Sequence, residues 1–344
     1  MTRLGGASAN ASRPRVLVTR AFVPEAVDPF AERLAIVQGR PDAWMPRSEL
    51  LRRIGTVDGL VAWSADRVDA GLLDAGLHLR IVANFGVGYD SVDVPAATAR
   101  GVWVSNTPDV LTDATADVAL LLLLAALRRA GEAFEHVRHG GWVSVDPYAF
   151  WGTDPAGRAL GVLGLGRIGG ALARRARGLG MRIAYHSRRR APDLERELDA
   201  RWLPLEELLR AADALSIHLP LTPETHGLVG RRQLELLPRG AVVVNTARGA
   251  VLDTEALCDL IDAGHLAGAG LDVFPDEPRV PPRLREHPRI FCLPHIGSAT
   301  RDTRLAMMRL CLENVTDLLV RGAPPRNAVN GIHGGDAGQP TSIP

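Results

Sequence analysis

Short apolar segments alternate along the chain with segments in which apolar residues recur every three or four positions. In the N-terminal third the apolar segments are Pro14–Thr19, Val57–Trp63 and Leu79–Asn84, and helical periodicity occurs at Glu49–Ile54 and Ala70–Ala75. This alternation of strand-like and helix-like segments predicts βα units that form a parallel sheet.

The same alternation continues in the second half of the chain. Apolar segments occur there at Ala214–Leu219, Gly240–Asn245, Gly268–Val273 and Ile290–Leu293. A chain of 344 residues is long enough for two domains. We therefore expect an α/β protein with two open parallel-sheet domains, of the Rossmann or flavodoxin-like type, and a cleft between them.

A glycine motif lies in the middle of the chain. The apolar segment Val162–Leu165 runs into Gly164-Leu165-Gly166-Arg167-Ile168-Gly169, and an Ala-rich segment of helical composition follows. In a dinucleotide site the first glycine permits a tight turn, the second lets the pyrophosphate approach the backbone, and the third lets helix and strand pack closely. Such a motif alone is equally typical of ordinary turns, but the strand and helix signals beside it favour a dinucleotide site.

The next strand-like segment ends where the adenosine ribose of a bound dinucleotide would lie. An acidic residue at this position is typical of NAD sites, but the chain has Ser187, Arg188, Arg189 and Arg190 there. A hydroxyl group and guanidinium groups suit a 2′-phosphate. We therefore favour NADP(H) as the cofactor, with NAD(H) as the alternative. Most short arginine runs are solvated basic loops, which is the alternative explanation, but the place of this run at the strand end favours the phosphate.

A wholly apolar stretch, Val118–Leu127, lies within a helix that we expect to begin near Thr112 or Asp113 and to end at Gly131. Ten such residues are too few to span a bilayer. A helix that is apolar on every side is buried in a core or against another subunit. We favour a homodimer interface in the 112–131 region.

Composition excludes several other classes of protein. The formal net charge is +1, so no strongly basic field indicates nucleic acid or an anionic membrane as a partner. The chain contains no lysine, which excludes Schiff-base and P-loop lysine chemistry. Its three cysteines, Cys258, Cys292 and Cys311, have neither metal-ligand spacing nor a disulfide pattern. We expect a cytoplasmic protein without a bound metal, and flexible tails at residues 1–13 and 331–344.

Polar residues follow three of the predicted strands, at Asn245–Gly249, Asp272–Pro278 and Leu293–Ser298. Ligands of open α/β sheets bind beyond the carboxyl ends of the strands. Arg248, Glu277 and His295 would form a working set there, because arginine binds a carboxylate as a fork, histidine transfers protons near neutral pH, and a carboxylate orients the histidine. Taken singly, each could equally be a surface charge, a loop carboxylate or a structural histidine.

Several blocks of the chain together resemble the D-isomer-specific 2-hydroxyacid dehydrogenases, and within them the glyoxylate/hydroxypyruvate reductase branch. The resemblance extends from about Val57 to Asn330. It is carried by Asn84–Asp90, Gly164–Gly169, His218–Pro220 with Thr225–Gly227, Asn245–Gly249, Gly270–Val273 and Pro294–Thr300. The order and spacing of these blocks make a chance match improbable.

The resemblance implies a role for individual residues. The catalytic residues of the family correspond to Arg248, Glu277 and His295, and its substrate contacts to Ser64, Val87, Gly88, Arg248 and His295. The implied cofactor contacts are Gly164, Leu165, Gly166, Arg167, Ile168, Gly169, Ser187, Arg188, Arg189, Leu219, Pro220, Thr225, Thr246, Ala247, Asp272 and Gly297. Glu277 distinguishes the chain from formate dehydrogenases, which have glutamine there. Val145 stands where the reductase branch often has an aromatic residue, which leaves the preferred substrate size open.

The resemblance also implies a domain arrangement and a reaction. Residues 14–108 and 299–330 would form a discontinuous substrate-binding domain, and residues 109–298 the Rossmann domain. The implied reaction is reduction of glyoxylate or hydroxypyruvate by NADPH to the D-2-hydroxy acid. Phosphite dehydrogenase, another 2-oxo acid or 2-ketogluconate reductase, and a nucleotide-sensing corepressor without turnover are the alternatives. A generic Rossmann binding module fits the three polar blocks less well.

Overall fold

The computed structural model describes residues 13–332, which form two compact units. The described part of the first unit is residues 13–110 and 301–332, and the second unit is Leu111–Thr300. Each unit has one parallel sheet flanked by helices, so the predicted fold class is confirmed. Of the predicted tails at residues 1–13 and 331–344, residues 1–12 and 333–344 lie outside the described residues.

The first unit has a five-stranded sheet with the strand order β2-β1-β3-β4-β5. Its strands are β1 (Arg15–Val18), β2 (Ala35–Gln38), β3 (Gly59–Ala62), β4 (Ile81–Asn84) and β5 (Trp103–Ser105). Its helices are α1 (Pro24–Val27), α2 (Arg47–Ile54), α3 (Ala70–Ala75), α4 (Val94–Ala99) and α13 (Arg301–Leu319). Helix α13 contacts β3 and β4, so two separate stretches of the chain build this unit.

The second unit has a seven-stranded parallel sheet with the order β12-β11-β10-β9-β6-β7-β8. Its strands are β6 (Ala159–Leu163), β7 (Arg182–His186), β8 (Arg201–Trp202), β9 (Ala214–Ile217), β10 (Ala241–Asn245), β11 (Leu266–Leu271) and β12 (Ile290–Cys292). Its helices are α5 (Thr112–Leu127), α6 (Ala130–Arg138), α7 (Arg167–Gly178), α8 (Pro192–Leu198), α9 (Leu205–Ala211), α10 (Arg231–Glu235), α11 (Thr254–Asp262) and α12 (Pro282–Arg285).

Both faces of this second sheet are covered. In β10, Val243 belongs to the apolar core on one face, and Val242 and Val244 belong to the core on the other. A strand buried on both faces needs apolar residues at consecutive positions rather than at alternate ones. This explains why the central strands appear in the sequence as short continuous apolar segments.

Helix α5 is buried by its own unit. It packs on β10, β11 and α7, and Leu122 and Leu123 are fully buried, whereas Leu121 is 48% exposed. The core of the second unit therefore accounts for most of the apolar composition that we had assigned to a subunit interface. Neither α5 nor any other helix among residues 13–332 is long and apolar enough to cross a membrane.

The prediction that this helix ends at Gly131 is wrong. Helix α5 ends at Leu127, and the chain turns at Arg129, which has a positive φ of 53°. Gly131 lies inside α6, where an added Cβ would come within 3.1 Å of the Phe291 ring. Close packing on β12, rather than termination of a helix, explains this glycine.

Gly169 controls how closely α7 packs against the end of β6. A Cβ at this position would lie 2.3 Å from the carbonyl oxygen of Gly164 and 3.0 Å from the side chain of Val162. Both contacts are shorter than van der Waals distance, so any larger residue would push the helix away from the strand.

We expect Gly169→Ala to reduce the free energy of unfolding by about 1–3 kcal/mol, because it overpacks the contact between α7 and β6. Gly178, at the exposed end of the same helix, has no atom within 4 Å of its Cβ position. The control Gly178→Ala should therefore be neutral or stabilise by up to about 1 kcal/mol through helix propensity. Urea unfolding of both variants measures the difference, and equal midpoints for Gly169→Ala and the wild type would refute the packing argument.

Candidate active site

The glycine motif joins β6 to the N-terminus of α7. Gly164 has a φ of 99°, and a Cβ there would lie 2.8 Å from the carbonyl oxygen of His218. Gly166 differs, because no atom lies within 4 Å of its Cβ position. The first and third glycines therefore serve the packing of the protein, whereas Gly166 borders open space next to the start of a 12-residue helix. This space and the helix dipole suit a pyrophosphate.

A second feature that fits a bound dinucleotide is the hydroxyl of Thr246, just after β10. Its Oγ1 is buried, and no residue in the described part of the chain forms a hydrogen bond with it. Buried hydroxyl groups normally have a partner, so this atom has unused hydrogen-bonding capacity. The open space at Gly166 and the unpaired Thr246 hydroxyl are both compatible with the predicted dinucleotide site.

The loop after β7 is tied directly to the glycine motif. The backbone N–H of Leu165 donates a hydrogen bond to Ser187 Oγ at 2.8 Å, and Trp202 Nε1 donates to the Ser187 carbonyl at 3.1 Å. Ser187 is therefore held at the position predicted for the ribose. Arg188 and Arg189 follow it and are exposed, and no salt bridge within residues 13–332 involves either of them.

Arg190 does not belong with the other two arginines. Its guanidinium forms a two-pronged salt bridge with Glu195, with N–O distances of 3.0 and 2.5 Å. Helix α8 supplies the carboxylate that neutralises Arg190, a residue that was not among the predicted cofactor contacts. Two guanidinium groups, those of Arg188 and Arg189, remain for a phosphate.

The loop after β9 contains the predicted cofactor residues Leu219, Pro220 and Thr225. Thr225 Oγ1 donates to the Pro220 carbonyl at 2.7 Å and accepts from the backbone N–H of Thr222 at 2.8 Å, which closes the loop on itself. Leu219 lies beside the glycine motif, 3.2 Å from the Cβ position of Gly164. The structure therefore places this loop next to the predicted pyrophosphate site.

His218, just before that loop, was not assigned a role from the sequence. Its Nε2 lies 2.8 Å from Ser216 Oγ, and burial lowers the pKa of His218 to about 4. The ring is therefore neutral at physiological pH. It stabilises the carboxyl end of β9 and adds no positive charge to the site.

The turn after β10 holds Arg248. The side chain of the fully buried Asn245 accepts from the Ala247 N–H and donates to the Arg248 carbonyl, both at 2.9 Å. Arg248 Nη1 in turn donates to the Ala247 carbonyl at 2.8 Å. Asn245 thus orders the turn that contains Thr246, Ala247 and Arg248, although the sequence offered no signal for this role beyond its place at a strand end.

Gly249 brings this turn against the segment that follows β11. A Cβ at Gly249 would lie only 2.0 Å from the backbone carbon of Phe274, so no other residue fits. The close approach places Arg248 near Glu277, and the positive charge of Arg248 contributes to a lowered pKa of that carboxyl group. Two of the three predicted catalytic residues are therefore neighbours.

Glu277 and His295 form the central pair of the site. His295 Nδ1 lies 2.6 Å from Glu277 Oε2, and Glu277 Oε1 accepts from the backbone N–H of Phe274 at 3.0 Å. Burial acts to raise the pKa of Glu277, but the hydrogen bond and charge of His295, the Phe274 amide and Arg248 outweigh it, so the pKa lies below the ordinary value. An ionised Glu277 accepts the hydrogen of Nδ1, and within the second unit no residue forms a hydrogen bond with Nε2.

Asp272 positions the turn that contains His295. Its carboxylate is almost fully buried and accepts from the backbone N–H groups of Ile296 and Gly297, both at 2.8 Å. Burial raises the pKa of Asp272, and the two amides oppose the rise. His295 itself has a φ of 54°, which is unusual for a residue with a side chain. The two hydrogen bonds hold the turn in this conformation, so the structure gives Asp272 a positioning role that was not foreseen.

The other predicted substrate residues lie in the first unit, at the ends of β3 and β4. Ser64 is exposed. The carbonyl groups of Gly86 and Gly88 accept from Asn84 Nδ2, and that of Val87 accepts from Asn106 Nδ2 at 2.9 Å. No hydrogen bond within the described part of this unit uses the N–H groups of Val87 or Gly88. Two amide donors are therefore available for an anion.

No group of three or more histidine, cysteine, aspartate or glutamate residues in the described part of the chain is arranged to hold a metal ion. The three cysteines are free thiols, and burial raises the pKa of Cys258 and of Cys292 to about 11. Neither thiol ionises near neutral pH, so neither acts as a nucleophile there.

Comparison with known proteins agrees with this geometry. Residues 120–297 match the family model of the D-isomer specific 2-hydroxyacid dehydrogenase NAD binding domain. The chain is 45% identical over 317 residues to a glyoxylate reductase from Thermococcus gammatolerans, a match that covers 91% of this chain and 95% of that protein.

Solved structures show the same similarity. A protein from Thermus thermophilus has a TM-score of 0.86 and 45% identity, with 92% of this chain and 100% of that chain covered. The NADPH-dependent glyoxylate/hydroxypyruvate reductase of Sinorhizobium meliloti, solved with NADP and malonate, has a TM-score of 0.81 and 38% identity, with 92% and 97% covered. The chain therefore belongs to the D-isomer specific 2-hydroxyacid dehydrogenases, a family of oxidoreductases.

Proposed function

We propose that this protein reduces a small 2-oxo acid, glyoxylate or hydroxypyruvate, to the D-2-hydroxy acid with NADPH as the reductant. The observation that carries the proposal is the pair formed by His295 and Glu277, in which one ring nitrogen is bound by a carboxylate and the other has no partner in its unit. The glyoxylate reductases to which the chain is similar support the choice of substrate.

His295 is the proton donor in this proposal. Nδ1 is occupied by Glu277, so Nε2 is the nitrogen that gives a proton to the carbonyl oxygen of the substrate as it becomes an alkoxide. Glu277 stays ionised and keeps the ring in one orientation. Bound NADPH supplies the hydride that the carbonyl carbon receives.

Arg248 binds the carboxylate of the substrate. Its guanidinium can form two parallel hydrogen bonds to a carboxylate, which fixes the orientation of the neighbouring carbonyl group. Asn245 and Gly249 hold the turn of Arg248 close to Glu277. We assign further contacts with the substrate to Ser64 and to the N–H groups of Val87 and Gly88, which have no other partner in their unit.

NADP(H) is the cofactor in this proposal, with NAD(H) as the alternative. Ser187, Arg188 and Arg189 would bind the 2′-phosphate, since a hydroxyl group and two exposed guanidinium groups suit a dianion. The glycine motif and the N-terminus of α7 would bind the pyrophosphate. We assign the remaining contacts to Leu219, Pro220, Thr225, Thr246, Ala247, Asp272 and Gly297. A cytoplasmic location also stays a prediction.

We expect His295→Asn to lower kcat with glyoxylate by about 100- to 10,000-fold, because the proton donor is lost. Glu277→Gln should lower kcat less, since glutamine can still orient the ring but carries no charge. Arg248→Ala should mainly raise KM for the 2-oxo acid. NADPH oxidation, followed by its absorbance, measures all three.

His78→Asn is the matched control, because His78 is an exposed histidine of the first unit, outside the proposed machinery. Its kcat should equal that of the wild type. NADPH affinity should be unchanged in His295→Asn, which shows that the variant is folded. Wild-type activity in His295→Asn would remove His295 from the mechanism.

We also propose that the protein is a homodimer whose interface includes the segment after α5. Large apolar side chains are exposed on α6 and the loop that follows it, and Trp142 and Trp151 remain 66% and 68% exposed. The other members of this patch are Phe134, Val137, Val143, Val145 and Tyr148. Apolar patches of this kind on a soluble protein mark interaction sites. The patch adjoins α5, so it extends the region that we predicted from the sequence.

A double substitution, Val143→Glu with Val145→Glu, should convert the dimer to a monomer, because two charges would be buried in the interface. Leu77→Glu, at an apolar residue of the first unit that is 80% exposed, is the control and should stay dimeric. Sedimentation equilibrium measures the mass of each. A monomeric wild type would contradict the proposal.

A further inference from the structure

The loop between β7 and α8 carries the proposed 2′-phosphate site, and its two ends are tied together. The hydroxyl of Tyr185, in β7, accepts a hydrogen bond from the backbone N–H of Ala191, just before α8, at 2.8 Å. This bond closes residues 186–190 into a loop. Tyr185 is fully buried.

Glu195, in α8, joins the same contact. It accepts a hydrogen bond from the Tyr185 hydroxyl and forms the two-pronged salt bridge with Arg190. Its side chain is only 15% exposed, whereas that of Arg190 is 63% exposed. One carboxylate therefore connects a buried strand residue, the first turns of a helix and the last residue of the arginine run.

The protonation states suit these bonds over the physiological pH range. The hydrogen bonds from Arg190 and from Tyr185 lower the pKa of Glu195, so it stays ionised. Burial, and then the carboxylate of Glu195, raise the pKa of Tyr185, so its hydroxyl stays a donor. The three side chains therefore form a contact whose charges do not change between about pH 6 and about pH 9, by ordinary side-chain pKa values.

The start of the loop is fixed separately, through the bonds from Leu165 and Trp202 to Ser187. Between the two fixed ends lie Arg188 and Arg189, exposed side chains on a short piece of backbone. Long side chains bind a phosphate well only if the backbone that carries them is fixed, because ordering them costs conformational entropy.

We propose that Tyr185, Arg190 and Glu195 are positioning residues that determine the preference for NADPH over NADH by holding Arg188 and Arg189 in place for the 2′-phosphate. The inference rests on the proposed function of Ser187, Arg188 and Arg189. None of the three positioning residues touches the phosphate, and Arg190 serves the loop rather than the ligand.

The probes for the test are adenosine 2′,5′-bisphosphate and AMP, which differ only in carrying or lacking the 2′-phosphate. Their dissociation constants are measured by calorimetry with the full chain. In Tyr185→Phe the closing hydroxyl is lost, and the dissociation constant of the bisphosphate should rise about three- to tenfold while that of AMP stays within about twofold. Glu195→Gln should likewise raise the dissociation constant of the bisphosphate and leave that of the other probe within about twofold. With saturating NADPH, kcat for the reduction of glyoxylate should be unchanged in both variants.

Arg188→Ala is the reference variant, because it removes a proposed phosphate contact directly. If the wild type binds the two probes equally well, or Arg188→Ala keeps the full preference, the proposed 2′-phosphate site fails and the positioning role fails with it. If Arg188→Ala loses the preference but Tyr185→Phe and Glu195→Gln keep it, only the positioning role is refuted.

Two other outcomes would also overturn the positioning role. An equal loss of affinity for both probes in Tyr185→Phe and Glu195→Gln would indicate general damage to the domain. Tighter binding of the bisphosphate by Glu195→Gln would mean that the released Arg190 is itself a phosphate ligand, which Glu195 holds back.

Discussion

The parallel direction of all seven strands in the second unit is the constraint on which its chemistry depends. Parallel strands end at the same edge of a sheet, so residues far apart in the sequence meet there. Gly164 follows β6, Ser187 follows β7, Arg248 follows β10 and His295 follows β12. The nucleotide loops and the proposed catalytic residues therefore belong to one edge.

Close backbone contacts make this edge compact. Gly169 lets α7 approach β6, and Gly249 lets the Arg248 turn lie against Phe274, where any Cβ would clash. Short hydrogen bonds then orient the side chains, as between Asp272 and the backbone N–H groups after His295. Backbone packing thus positions the loops of the site, and hydrogen bonds from buried polar side chains hold their conformation.

The sequence predicted the elements well where apolar runs are bounded by glycine or polar residues. The strands β6, β10 and β11 lie close to the predicted segments, and the glycine motif joins a strand to a helix as expected. Gly131 misled the prediction, because its function is to contact Phe291, a residue far along the chain that only the folded structure brings near.

The residues of the candidate site could likewise be predicted from the sequence only in part. Arg248, Glu277 and His295 could be proposed from strand ends and from the family resemblance, since their chemistry is visible in single residues. The pairing of Arg190 with Glu195, and the support that Asn245 and Asp272 give to their turns, could not be proposed. Those roles depend on which backbone groups a side chain reaches, and neither hydropathy nor spacing encodes that.

The central claim is that the dinucleotide site and the pair of His295 and Glu277 together serve the reduction of a 2-oxo acid by NADPH. Steady-state kinetics of the wild type with glyoxylate and hydroxypyruvate, with NADPH and NADH in parallel, test it most directly. The account predicts oxidation of NADPH that requires the 2-oxo acid, with kcat/KM at least about tenfold above that for NADH, as charge-assisted hydrogen bonds to a 2′-phosphate imply. Preference for NADH, or no oxidation that depends on a 2-oxo acid, would contradict it.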